Sequence, residues 1–145
     1  LELIKSHDMV LATGHISTKE SMVLVEEARN MGIGRVVVTH GTTMSFWTGM
    51  TLEDMKTLAS MGAYIEHCLH VMMPLTYRLA PRELVETIMA IGTENCIVST
   101  DFGQDYHPMP AEGFRMGIAT LLQAGMEEVE VGMLVKDNPS RLMGL

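Results

Sequence analysis

Arg35–His40, RVVVTH, is the stretch whose reading decides the fold. Val36, Val37, Val38 and Thr39 are apolar or β-branched and run without alternation into a histidine. A run with no polar alternation reads as a strand buried on both faces, the kind found in parallel sheets. Gly32 and Gly34 turn the chain just before it, and Gly41 ends it at His40. A titratable group therefore stands at the carboxyl end of a buried strand, which is where α/β folds bind ligands and do chemistry.

Working outward, three more runs have the same form. Met9–His15 (MVLATGH) ends in histidine, Ala63–His67 (AYIEH) in a glutamate and a histidine, and Cys96–Asp101 (CIVSTD) in an aspartate. Any one of these is an ordinary strand-to-loop junction on its own. Four in succession, each closing on a metal-ligating or proton-moving residue, point to a shared site. The ends are 40 − 15 = 25, 67 − 40 = 27 and 101 − 67 = 34 residues apart, which suits right-handed βα units in a parallel sheet.

The intervening segments read as helices. Ser17 or Thr18 caps one that carries Met22, Val23, Val25, Ala28 and Met31 near a 3.6-residue period, and Thr51 caps another with Glu53 and Asp54 in its first turn. Pro81 suits the first position of a helix with Leu84, Val85, Ile88 and Met89 inward, and a further helix runs over about 111–123. Gly41–Gly49 reads as a polar loop in which Phe46 and Trp47 form a lid or pack. Asp137-Asn138-Pro139 reads as a break after a last helix. The expected fold class is α/β, with the order βαβαβαβα and a helical tail, in one domain over residues 1–145.

The chain of 145 residues is 47% hydrophobic and 19% charged, an ordinary globular composition able to bury a core. Its formal net charge of −8 lacks the basic clusters of a nucleic-acid or membrane-surface binder. No apolar run is long enough for a membrane helix and no signal peptide is evident, so a cytoplasmic protein is expected. Cys68 and Cys96 read as buried thiols of a reducing compartment. The 15 methionines read as core filler. The opening Leu1-Glu2-Leu3-Ile4-Lys5 looks like a helix already under way, which leads us to expect the C-terminal part of a longer protein.

In a parallel sheet all carboxyl ends lie on one side, so His15, His40, Glu66, His67 and Asp101 would face a common cleft. Two imidazoles and a carboxylate suit a borderline-soft divalent ion such as zinc, with manganese or another ion as alternatives. His15, His40 and Asp101 are the expected metal ligands, and Asp101 is also the expected catalytic base, taking a proton from metal-activated water. Glu66, His67 and His70 are expected either to touch substrate and support the ligands or to be buried structural groups. Gln104 and His107, in the loop after Asp101, either shape specificity or are solvated. Gly-rich phosphate motifs are absent, and His7 reads as surface.

These residues carry a resemblance. Gly14-His15, VVVTH ending at His40, STD at Ser99–Asp101 and the closing NPSRLMGL resemble the C-terminal half of an amidohydrolase-superfamily (β/α)8 barrel. More narrowly, LATGHIS, the third-strand IEH and STDFGQ resemble the uncharacterised DUF6282 group. The superfamily likeness implies metal-binding histidines at His15 and His40 and a catalytic aspartate at Asp101. The chain departs from it in having no His-x-His pair, and four βα units are half of such a TIM-type barrel. The 145 residues alone are thus expected to hold an incomplete site.

The expected function is a metal-dependent hydrolase of a small-molecule C–N or C–O bond. The alternatives are a metal-dependent decarboxylase on the same scaffold and a non-catalytic α/β binding domain such as a flavodoxin-like one. Exposed sheet edges lead us to expect a homo-oligomer or association through those edges.

Overall fold

The computed structural model describes all 145 residues. Four parallel strands alternate with helices: β1 (Leu11–Ala12), β2 (Val36–Val38), β3 (Tyr64–Cys68) and β4 (Cys96–Ser99). The helices are α1 (Glu2–Ser6), α2 (Thr18–Asn30), α3 (Gly41–Trp47), α4 (Leu52–Ser60), α5 (Pro81–Ile91), α6 (Pro110–Gln123), α7 (Glu128–Gly132) and α8 (Asn138–Met143). Local chemistry sets their starts. Ser17 and Glu20 form a reciprocal capping box on α2, and Thr51 and Asp54 form one on α4. Pro81 and Pro110 open α5 and α6, where a missing N–H costs nothing.

The sheet order is β1-β2-β3-β4, with Leu11 beside Val36, Val38 beside Ile65 and Ile65 beside Cys96. This order never reverses, whereas the flavodoxin-like alternative requires a reversal at its ligand crevice. Right-handed crossovers in such a singly wound sheet put the connecting helices on one face, and α2, α4, α5 and α6 stand side by side. The core lies between them and the sheet: Val25, Ala28, Met55, Leu58, Leu84, Ile88 and Leu121 pack on Leu11, Val36, Val38, Ile65, Cys96 and Val98. On the other face Ala12 is exposed and Tyr64, Glu66, Ile97 and Ser99 are only partly covered.

Three expectations are corrected. Gly41–Gly49 is mostly helix α3 rather than a loop, because Gly41 fits directly against β3. A Cβ there would meet Ile65 Cγ2 at 2.5 Å. Met89, expected inward, is exposed, as is Val23 of the apolar set on α2, where Ser21 takes a place on the buried side. Asp137-Asn138-Pro139 does not break the chain. A π-turn over Met133–Asp137 joins α7 to α8, and Asp137 itself is helical (φ −70°, ψ −46°). The wider turn accommodates Pro139, which lacks an N–H and would crowd the preceding turn of a regular helix. Asn138 then points inward, fully buried, and its Nδ2 donates to the carbonyls of Thr93 and Cys96 at 2.7 Å each. No helix is long and apolar enough to cross a membrane.

Candidate metal centre

Short strands leave the positioning of the site to side chains. The hydroxyls of Thr13 and Thr39, just past β1 and β2, each accept a hydrogen bond from the neighbouring segment's backbone. Gly14 N donates to Thr39 Oγ1 and Thr39 N donates to Thr13 Oγ1, both at 3.0 Å. These bonds extend the ladder by one step beyond its backbone pairs and deliver His15 and His40 side by side. Their rings stack with centroids 4.9 Å apart.

His40 and Asp101 are both left-handed, at φ 57° and 51°. Non-glycine residues adopt this region at a cost, of order 1 kcal/mol or more, and such strain concentrates at functional sites. The surroundings hold each in place. The His40 N–H donates to Glu66 Oε2 at 3.1 Å, and Gly41 is seated on β3. Beyond Asp101, Phe102 packs where Gly113 of α6 leaves room. A Cβ at Gly113 would lie 2.1 Å from the Phe102 ring, and one at Gly117 would lie 2.1 Å from Leu69. The two glycines of α6 thus seat the neighbours of Asp101 and of His70.

The strand ends open into a cavity of about 500 Å³ lined by His15, His40, His70, Asp101, Gln104 and Trp47, among others. At its rim Trp47 Nε1 donates to the Tyr77 hydroxyl, and Phe46 stacks on Tyr77 at 4.4 Å. This aromatic clasp ties α3 to the connection after β3. The edge of Trp47 also meets the His15 ring at 5.1 Å, so the pair walls the histidines on one side.

Behind His40 stand Glu66 and Cys68. Ser99 Oγ donates to Glu66 Oε1 at 2.8 Å, while Glu66 Oε2 faces His40 Nδ1 at 3.8 Å. Cys68 Sγ stands 2.8 Å from His40 Nδ1 and 3.2 Å from Ser99 Oγ. His70 Nδ1 lies 3.0 Å from Asp101 Oδ2 without forming a hydrogen bond. His70 is 5% exposed, so this is a buried nitrogen without a partner, which native structures seldom tolerate. Two sets of ligand atoms each lie within 4.8 Å of one another: His40, Glu66 and Cys68, and Cys68, His70 and Asp101. The mixture of N, O and S donors fits a borderline-soft divalent cation.

Burial sets the proton affinities. It lowers His70 below the ordinary histidine value, with the Asp101 charge opposing. It pushes the Cys68 thiol far up, and the neighbouring Glu66 charge adds to that. With no cation beside it, this thiol stays protonated.

The structure brings His15, His40, His70, Asp101 and Gln104 to one cavity, with Glu66 behind His40. His15 belongs to neither close ligand set. His67 stands apart. It faces the helices, is wholly buried, and hydrogen-bonds Thr42 through Nδ1. Burial lowers its pKa to about 3. His107 packs on Phe102 at 4.7 Å and comes within 6.4 Å of the His70 ring without lining the cavity. Cys68, expected only as a buried thiol, is the residue that sequence reasoning missed. The signal was available: strand side chains alternate, so in YIEHC Glu66 and Cys68 must share the face that His67 leaves.

The model of a family of unknown function, DUF6282, matches residues 1–66. The match spans His15, His40 and Glu66 and ends before Cys68, His70 and Asp101. No curated protein and no solved structure matches the chain.

Proposed function

We propose that this protein is a metal-dependent hydrolase of a small-molecule C–N or C–O bond, on a scaffold akin to half of an amidohydrolase-type (β/α)8 barrel. The observation that carries the reading is the pair of left-handed residues, His40 and Asp101, at the carboxyl ends of β2 and β4, facing one cavity. Strain of this kind is retained where it positions chemistry. The ion, with zinc the best match to the donors, would be held by groups drawn from His40, Glu66, Cys68, His70 and Asp101. His15 stands beside them, as the superfamily resemblance implies for a ligand.

A divalent ion at this place supplies a lowered pKa for water and polarises the bond to be cleaved. The protein's own groups do the rest. Asp101, whose side chain reaches the cavity, accepts a proton from the attacking water and returns it to the leaving nitrogen or oxygen. His70, its proton affinity lowered by burial, stands 3.0 Å from that carboxylate. Trp47 and Tyr77 wall the cavity with aromatic surface.

The test is elemental analysis of the purified protein together with a screen of amide, cyclic amide and ester substrates. Wild type should carry a transition metal and turn over at least one substrate class. Asp101→Asn should lose activity by roughly 100-fold or more, the usual contribution of a general base. A protein that takes up neither zinc nor manganese would end the proposal. Carbon dioxide release in place of hydrolysis would move the chemistry to decarboxylation.

A further inference from the structure

We propose that the strand ends hold two divalent ions bridged by the Cys68 thiolate, one shared with His40 and Glu66 and the other with His70 and Asp101. The inference deepens the hydrolase reading and rests on its metal.

Geometry carries it. The two ligand sets have one member in common, and that member is a sulfur. Thiolate sulfur has lone pairs enough to serve two ions at once. Ligand atoms on one tetrahedral ion stand roughly 3.3–3.6 Å apart, given bonds of about 2.0–2.3 Å. The observed separations are 2.8 Å for His40 Nδ1 to Cys68 Sγ, 3.8 Å for His40 Nδ1 to Glu66 Oε2, and 3.0 Å for His70 Nδ1 to Asp101 Oδ2. They bracket that range within about 0.8 Å, a shift side-chain rotation can supply.

A second observation is independent of the clustering. His70 Nδ1 is buried, lies 3.0 Å from Asp101 Oδ2, and has no hydrogen-bond partner. A cation between it and Asp101 would satisfy both the nitrogen and the carboxylate. Charge agrees as well. Glu66, Asp101 and a Cys68 thiolate bring three negative charges together beside a cavity with no Lys or Arg among its lining residues. Two dications bring four positive charges and leave one for a hydroxide or an anionic substrate. Loading balances as one proton released, from the Cys68 S–H, since carboxylates and neutral imidazoles have none to give up. Paired ions about 3.5–4 Å apart are a known arrangement for stabilising both attacking and leaving atoms.

The experiment is a cobalt(II) titration of the purified metal-free protein, read by bound metal per chain and by the near-ultraviolet sulfur-to-cobalt absorption. We expect two equivalents bound and a strong sulfur band. Cys68→Ser should abolish the band, while Cys96→Ser, whose sulfur belongs to neither set, should keep it. Glu66→Gln and Asp101→Asn each remove a ligand from one ion only, so each should bind one equivalent and retain the band. These two positions are partly exposed or exposed, and they keep the test open if the buried Cys68 variant fails to fold by circular dichroism. Saturation at one equivalent, or a band that survives Cys68→Ser, overturns the bridge. One ion with hydrolysis intact sinks the bridge and spares the hydrolase reading. Two ions with a sulfur band and no turnover in the screen does the reverse.

Discussion

His67 shows how one residue can look like part of a site and belong to the core. Thr42 holds its Nδ1, and its Nε2 has no partner. Its folded pKa, about 3, lies below the ordinary value of 6.5, so between those limits the unfolded chain binds a proton that the folded one refuses. Its contribution to stability is complete above pH 6.5 and is lost as pH falls, at about 1.4 kcal/mol per unit. His70, also lowered, acts in the same direction. Denaturant unfolding of the metal-free protein should lose about 2–3 kcal/mol between pH 6.5 and 4.5, before most carboxylates titrate. His67→Gln should flatten that slope, and an unchanged slope would remove His67 as its source. The alternation in YIEHC already separates His67 from Glu66 and Cys68. What the sequence could not convey is the reach of each side chain across strands, such as Cys68 to His40, since such contacts depend on register.

Among the elements, α6 positions the site without lining it. Leu69 sits against Gly117 and Phe102 against Gly113, and the next residue after Leu69 is His70 while the one before Phe102 is Asp101. Gly117→Ala poses two opposed effects. Alanine gains about 1 kcal/mol of helix propensity, and overpacking against the buried Leu69 costs about 1–3 kcal/mol. With only 2.1 Å available, overpacking should win. The variant should be less stable by thermal melting and should bind cobalt more weakly through a displaced His70. A more stable variant with unchanged binding would show that α6 has slack. Helix starts at Ser17, Thr51, Pro81 and Pro110 were legible because each rests on chemistry within four residues. Helix α3 was not, because Gly41 follows from a contact with Ile65 about 24 residues away in sequence. The π-turn was hidden for a similar reason, since Asn138-Pro139 reads as a stop until the burial of Asn138 is known.

At the scale of the whole molecule, βα spacing correctly foretold the parallel sheet and its single run of strand ends. The one-sided core leaves β1 and β4 as edges with one partner each, and a second sheet face that is only partly covered. Unpaired edges and apolar side chains such as the partly exposed Tyr64 and Ile97 favour association. Sedimentation should find dimers or larger species whose proportion rises with concentration, and a monomer at the highest soluble concentration would count against the half-barrel scaffold. The side-chain amide of Asn138, fastened to the carbonyls at the amino end of β4, gives that strand two poles. One pole is anchored for endurance and the opposite one, at Asp101, is left free to react. A saturation mutagenesis survey would therefore sort damaging substitutions into two populations. Those near Asn138 would deplete the amount of protein while sparing the chemistry of each surviving molecule, and those near Asp101 would leave abundance intact and silence it.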